Sequence, residues 1–315
     1  MLGEMKIFSG SSNPELAKNI CKYLNIPLSQ STSFKFSEGN VYVKIDESVR
    51  QAHVFFIQSG SHPVNDLLVE TLFFIDAFKR SSAASVTVIL PYFPYTKGDK
   101  KDEPRVSIRA RVVSEIIEAT GANRVLTMDL QPPQIQGFFN VPVDNLYALP
   151  VFCDYLTTLH IKNPIVVAPD FGAAKMANRF ANQLDCQVAI ASKKRHGHTE
   201  EVELTQIFGD VENKDVIIVD DMIISGGTLL EISKSLKKQG ALKIYACISH
   251  ALLGGKFLAK LEKSDINKLI ITDSIPFEKK EHPKVKQLSV ANLFSEAISS
   301  IYHGDSISTL FKEVE

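Results

Sequence analysis

Short β-rich runs alternate with amphipathic helical patterns along nearly the whole chain, and this rhythm constrains the fold more than any other feature. In the first half, strands are predicted at 5–9, 41–45, 53–58, 86–90 and 125–128, with helices at 14–24, 63–79 and 108–120. The second half repeats the pattern, with strands at 165–167, 187–191, 216–219, 244–248 and 268–272 and helices at 171–184, 228–239 and 289–302. Capping residues support these boundaries. Asn13 precedes Pro14 at a first helical position, and Gly121 and Gly240 stand where two helices must stop. Strands joined through helices run parallel, with helices on both faces of the sheet. About ten strand signals exceed what one small doubly wound sheet holds, and 315 residues suit two α/β domains. The join is predicted near 142–150, where prolines and a polar turn interrupt the rhythm.

Charge and cysteine content narrow the function classes. The formal net charge is -1, which gives no basic surface for nucleic acid. Local basic runs at 97–101 and 193–195 read, taken alone, as solvated faces. Cys21, Cys153, Cys186 and Cys247 are widely spaced and form no CxxC pair. That spacing argues against a zinc site and a disulfide framework, and suggests a reducing cytosol. No N-terminal run resembles a signal peptide and no apolar stretch reaches the ~18 residues a membrane helix needs, so the expectation is a cytoplasmic protein with no membrane partner. The histidines form no metal-spaced group apart from His196-x-His198, which falls in a polar segment.

The chemistry concentrates in VIIVDDMIISGGTL, residues 216–229. Ligands of parallel α/β sheets bind at the carboxyl ends of the strands, and Asp220 and Asp221 are predicted to stand at such an end. Ser225, Gly226, Gly227 and Thr228 would then form the turn into the next helix. Glycines admit a close backbone approach, and the first helical N–H groups point outward, so the turn suits a phosphate. The two carboxylates would repel that phosphate. They fit sugar hydroxyls, or a divalent ion held in part through water. No Gly-Lys-Ser/Thr follows, so this is not a Walker A loop.

This stretch resembles the phosphoribosyl-diphosphate (PRPP) binding motif of type I phosphoribosyltransferases, in the version carried by the ribose-phosphate diphosphokinase, or PRPP synthase, family. The similarity covers nearly the whole chain, through FSEGN (36–40), PYFPYTKGDKK (91–101), TMDLQPPQIQGFFNVPVDNLYALP (127–150), APDFG (168–172), SKKR (192–195) and SISTLF (306–311). It implies an α/β fold of two phosphoribosyltransferase-like domains, each a mostly parallel sheet flanked by helices, over 1–147 and 148–300. A tail, 301–315, would pack back on the first domain.

The resemblance further implies synthesis of PRPP from ATP and ribose 5-phosphate with Mg²⁺. The anomeric hydroxyl attacks the β-phosphorus and AMP leaves, so catalysis rests on positioning and charge neutralisation. Phe36, Glu38 and Asn40 would form an adenine pocket supplied by a neighbouring subunit, and Lys97 and Asp99 would lie near the ATP phosphates. Asp170, Asp220, Asp221, Ser225, Gly226, Gly227 and Thr228 would hold ribose 5-phosphate, and Gln131 and Asp170 would contact the metal. Lys193 and Arg195, on a flexible loop ahead of the polar 196–200 segment, would close over the transferring group as catalytic cations. Ser48, Arg50, Arg80, Ser81, Ser82, Ser306, Ser308 and Phe311 match an intersubunit site for phosphate as activator and ADP as inhibitor, in a hexamer built from dimers.

The chain departs from the family pattern in several places. Gln131 replaces a metal-contacting His; its amide oxygen can ligate Mg²⁺ but does not mimic imidazole. Lys97-Gly98 replaces an Arg-Gln pair, keeping a charge and losing the guanidinium fork and one donor. Ile224-Ser225 replaces Asp-Thr in the ribose loop. After Asp170 the chain reads Gly172-Ala173-Ala174, then Met176 and Asn178, where the family tends to carry a second Gly and one or two Arg. Glu38 and Asn40 are milder changes, for Asp and Glu. The paired acids and the two cations persist, which favours a working, divergent synthase; the alternative is a catalytically weak regulatory subunit or paralogue. A phosphoribosyltransferase using PRPP with a base would explain the Asp-Asp loop but not FSEGN or the N-terminal half. His250 either contacts the sugar phosphate or caps a loop.

Overall fold

A computed structural model describes residues 3–195, 202–277 and 282–311. The elements run, in chain order, β1 (Met5–Ser9), α1 (Pro14–Leu24), β2 (Ser31–Lys35), β3 (Val41–Ile45), β4 (His53–Ile57), α2 (Val64–Arg80), β5 (Ser85–Leu90), α3 (Arg109–Thr120), β6 (Arg124–Met128) and β7 (Val143–Leu146). They continue as α4 (Leu149–Thr158), β8 (Pro164–Ala168), α5 (Ala174–Gln183), β9 (Gln187–Arg195), β10 (Val202–Phe208), β11 (Asp215–Ile223), α6 (Gly227–Lys238), β12 (Ile244–Ala251), α7 (Gly255–Glu262), β13 (Lys268–Thr272), β14 (Val285–Leu288) and α8 (Ala291–His303). The described residues divide into two units. One holds the chain up to Tyr147 with Ser274–Pro276 and Val290–Phe311; the other holds Ala148–Asp273 with Phe277–Ser289.

The first unit is a parallel sheet in the order β1-β4-β5-β6-β7, plus an antiparallel β2-β3 hairpin. Its central strands β4 and β5 are near-continuous buried runs because parallel strands are covered on both faces. The core is rich in phenylalanine: the Phe56 and Phe74 rings pack tilted at 4.7 Å and those of Phe8 and Phe78 at 4.9 Å, contacts worth about 0.5–1.5 kcal/mol beyond area burial. Asn13 caps α1 by accepting from Leu16 N at 3.3 Å. On α2 the buried positions Leu67, Glu70, Thr71, Phe74, Ile75 and Phe78 recur at helical spacing. Glu70 is the polar exception, 2% exposed. Its carboxylate accepts from Ser11 Oγ and Gln58 Nε2 at 2.6 Å each and from Ser11 N at 3.2 Å, fastening the segment after β1 to the end of β4.

The second unit is a seven-stranded sheet in the order β10-β9-β8-β11-β12-β13-β14, parallel except for the β9-β10 pair. The chain builds outward from β8 to β9 and β10 on one side. It then returns to the other side of β8 with β11, so the order reverses between β8 and β11.

The sequence reading missed β2, β7, β10, β14, α4 and α7. The segment read as a join near 142–150 holds β7, paired with β6, and the start of α4. The expected second domain over 148–300 is corrected at its end. Residues 290–300 belong to the first unit, because α8 buries Leu293, Phe294, Ala297 and Ile298 and packs against α1. Of the expected tail, 312–315 lies outside the described residues.

Candidate active site

The reversal between β8 and β11 is where a parallel sheet opens a crevice at the carboxyl ends of its strands. The two strands pair only as far as Val167 and Ile218, whereas β11 continues alongside β12 to Ile223. Asp220 and Asp221 therefore lie inside β11, not after it as expected, on the stretch that has outrun β8. Asp221 is 4% exposed and Asp220 half-buried, and the Asp220 carboxylate accepts from Asp221 N at 3.0 Å. Asp170 follows β8 on the facing side. Its carboxylate accepts from Ala173 N at 3.1 Å and caps a short 3₁₀ turn, Phe171–Ala173, which splits the expected helix 171–184 from α5.

Beyond β11, Ser225 is exposed and Gly226 is the N-cap of α6. Gly226 adopts φ 72°, and a Cβ there would meet the Phe257 ring at 2.2 Å. Both facts demand glycine. Phe257, from α7, is a support that no sequence motif announced. A Cβ on Gly227 would meet nothing within 4 Å, so the approach to the first turn of α6 is open. No side chain caps that turn and no acid lies in it. Free N–H groups at a helix start can donate to an anion, and carboxylates such as those of Asp220 and Asp221 can accept from hydroxyls. His250 lies inside β12, buried and in register with Met222, rather than in the loop beyond.

Lys193 and Arg195 were expected on a loop. Their backbone instead forms the end of β9, with Lys193 opposite Leu204 and Arg195 opposite Val202 of β10. Their side chains, and the 196–200 segment read as part of a lid, lie outside the described residues.

The first unit carries the other expected contacts. Phe36, Glu38 and Asn40 come together at the tip of the β2-β3 hairpin, closed by Phe36 N donating to Asn40 O at 2.8 Å. Phe36 is 44% exposed and packs with Phe34 and Tyr42 in a surface aromatic group, with centroids 4.9 and 5.9 Å away. Lys97 is exposed in a 3₁₀ turn, Thr96–Gly98, past the carboxyl end of β5, and Asp99 follows it. Gln131 is exposed past the carboxyl end of β6. The segment leading to it is held by Asn145, a buried β7 residue missed in the sequence, whose Oδ1 accepts from Leu130 N at 3.0 Å.

Of the residues matched to the effector site, those at 48–50 and 80–82 lie at the opposite, amino end of that sheet, ahead of β4 and β5. Gln51 N donates to Ser82 O at 2.8 Å, joining the segment of Ser48 and Arg50 to that of Ser81 and Ser82. Arg80 pairs with Asp76 at 2.7 Å. Ser306 and Ser308 share a hydrogen bond of 2.8 Å beyond α8, where Phe311 ends the last 3₁₀ turn.

Comparison with known proteins supplies the lineage. Residues 5–121 match a model of the N-terminal domain of ribose phosphate pyrophosphokinase, and residues 196–312 match the phosphoribosyl synthetase-associated domain. A ribose-phosphate pyrophosphokinase of Wolinella succinogenes is 46% identical over 97% of this chain and 98% of its own. The chain belongs to the ribose-phosphate pyrophosphokinase family. A second pyrophosphokinase, from Campylobacter jejuni, is 45% identical over 97% of the chain and 98% of its own. The crystal structure of phosphoribosylpyrophosphate synthetase from Mycobacterium smegmatis superposes with a TM-score of 0.89 at 34% identity, over 96% of this chain and 99% of that one. The expected fold class, two α/β domains with mostly parallel sheets flanked by helices, is the fold of this pyrophosphokinase family member.

Proposed function

We propose that the protein is a ribose-phosphate diphosphokinase. It would transfer the β,γ-diphosphoryl group of ATP to the 1-hydroxyl of ribose 5-phosphate, giving PRPP and AMP. The observation that carries this reading is the open, uncapped start of α6 set beside Asp220, Asp221 and Asp170 at the sheet reversal, in a chain of this family. The α6 amides and the Ser225 and Thr228 hydroxyls hold the 5-phosphate. Asp220 and Asp221 accept from ring hydroxyls and orient the sugar. The 1-hydroxyl oxygen then bonds to the β-phosphorus and loses its proton, while the bond from that phosphorus to the AMP oxygen breaks. Lys193 and Arg195 are assigned to neutralise charge on the transferring group. Phe36, Glu38 and Asn40 receive adenine, and Lys97 and Asp99 lie at the phosphates.

Mg²⁺ suits these donors. Among the described residues no group of three His, Cys, Asp or Glu could hold a metal, and Mg²⁺ usually takes one or two carboxylates, keeping its other positions for water and substrate phosphates. Asp170 would supply a carboxylate to it, and when bound it would supply charge neutralisation across phosphate oxygens.

The hairpin tip, with its aromatic group exposed on a single chain, favours an adenine pocket completed across a protomer boundary in a hexamer. The effector residues suit phosphate and ADP. A cytoplasmic setting accords with four free cysteines and with the lack, among the described residues, of a helix long and apolar enough to cross a membrane.

The test is AMP release from ATP by the purified chain, with and without ribose 5-phosphate. Release that depends on the sugar supports the proposal. A chain that binds both substrates yet releases no AMP would be the regulatory subunit instead.

A further inference from the structure

Gly98 is the last residue of the 3₁₀ turn that carries Lys97, and the space beside its Cα is filled by another residue. A Cβ built there would lie 2.6 Å from Arg109 Nε, 2.8 Å from Arg109 Cβ and 3.3 Å from Arg109 Cζ. Arg109, the first residue of α3, thus lays its side chain against the backbone of the Lys97 turn, and only glycine at 98 permits it. Two cationic side chains from different elements converge on one turn.

Their surroundings run against ordinary surface electrostatics. Three arginines of this unit have carboxylate partners: Arg80 pairs with Asp76, Arg111 with Glu115 and Arg124 with Asp144. Among the described residues neither Arg109 nor Lys97 forms a hydrogen bond or ion pair with any side chain, and Asp99, next to the turn, pairs with neither. Arg109 also stands at a helix N-terminus, where the positive end of the helix dipole disfavours a cation. The first turn of α3 contains no acid and has no side-chain cap. Thr96, in the Lys97 turn, is 3% exposed and its hydroxyl has no hydrogen-bond partner among the described residues. Two unpaired cations and a set of uncapped helix amides share one need, a multiply charged oxyanion.

We propose that Arg109 is a phosphate-binding residue for the nucleotide, its guanidinium donating to the polyphosphate beside Lys97. The inference deepens the proposed function and rests on its assignment of Lys97 to the ATP phosphates. Arg109 brings a planar fork of donors that Lys97 lacks. Gly98 matters because it leaves room for that fork.

The full-length chain tests this through steady-state kinetics and titration with a non-hydrolysable ATP analogue. Arg109→Ala should raise the KM for ATP and the Kd for the analogue by roughly tenfold, the scale of one charge-assisted hydrogen bond, and leave the KM for ribose 5-phosphate unchanged. Arg109→Lys should fall between. Gly98→Gln should weaken ATP binding by displacing the guanidinium, and adding it to Arg109→Ala should cost less than it does alone, because the guanidinium it displaces is already gone. An unchanged KM for ATP in Arg109→Ala, equal rises in both KM values, or losses from the two substitutions that add in full overturns the role given to Arg109. If the parent chain releases no AMP, the functional reading fails by itself, and the analogue titration still decides Arg109.

Discussion

At the residue scale, two positions govern what the site can hold. Gly226 combines a left-handed backbone with a ring pressed against its Cα. Gly226→Ala adds about 1–2 kcal/mol of backbone strain and forces Phe257 aside. The expected result is a KM for ribose 5-phosphate raised at least roughly tenfold, since the strain deforms the amides rather than removing them. AMP-release kinetics over a sugar series check it, and an unaltered KM would mean the loop does not hold the phosphate. Gln131 is the second. Its amide cannot reproduce the geometry of the imidazole in the family pattern, so Gln131→His should lower the Mg²⁺ concentration for half-maximal rate. No change, or a rise, removes Gln131 from the metal's surroundings. Cys21 shows that burial can silence a residue: desolvation pushes its thiol up to about 11, leaving it protonated and unreactive near neutral pH.

At the scale of elements, the buried Glu70 carboxylate is a fastening between β1, β4 and α2. Glu70→Ala strands the buried Gln58 amide, while the donors of the exposed Ser11 turn to water. It should cost about 1–3 kcal/mol, the cost of one orphaned buried donor; a urea melt of the purified variant reads the loss, and a shift below about 0.5 kcal/mol would mean water replaces the carboxylate. The same scale shows what could be read from sequence. Long periodic helices such as α1 and α3, and apolar strands such as β1 and β13, lay within a residue of prediction because their own side chains carry the signal. The strands β7 (VDNL) and β14 (VKQL) are short and half polar, and only pairing with β6 and β13 makes them strands. The acids in β11 were misplaced for a related reason. Charge at 220 and 221 looked like the strand's end, but β12 goes on pairing beyond them after β8 has stopped. Motifs marked the 225–228 turn and the Lys97 turn as candidates. They gave no sign of Phe257, Asn145 or Arg109, whose contacts are made with residues outside their own elements.

At the scale of the whole molecule, each unit has, among the described residues, a hydrophobic cluster packed on its own sheet. Each ligand should therefore leave its own imprint on hydrogen exchange. Ribose 5-phosphate alone should protect amides around 226–230 without slowing those at 36–40, while an ATP analogue should slow exchange around 96–99 and 109–111. Protection by ribose 5-phosphate confined to the first unit would reverse the substrate assignments.

The return of α8 to the first unit also bears on how a ribosome delivers this molecule. Translation finishes every segment of the second unit's sheet before the final helix has been made. The first sheet, synthesised earliest, must wait with the flank of α1 uncovered until Leu293, Phe294, Ala297 and Ile298 emerge. The portion of the protein born first is thus the last to be completed, and a nascent chain stalled before residue 290 would offer its exposed hydrophobic flank to whatever chaperone stands at the exit tunnel.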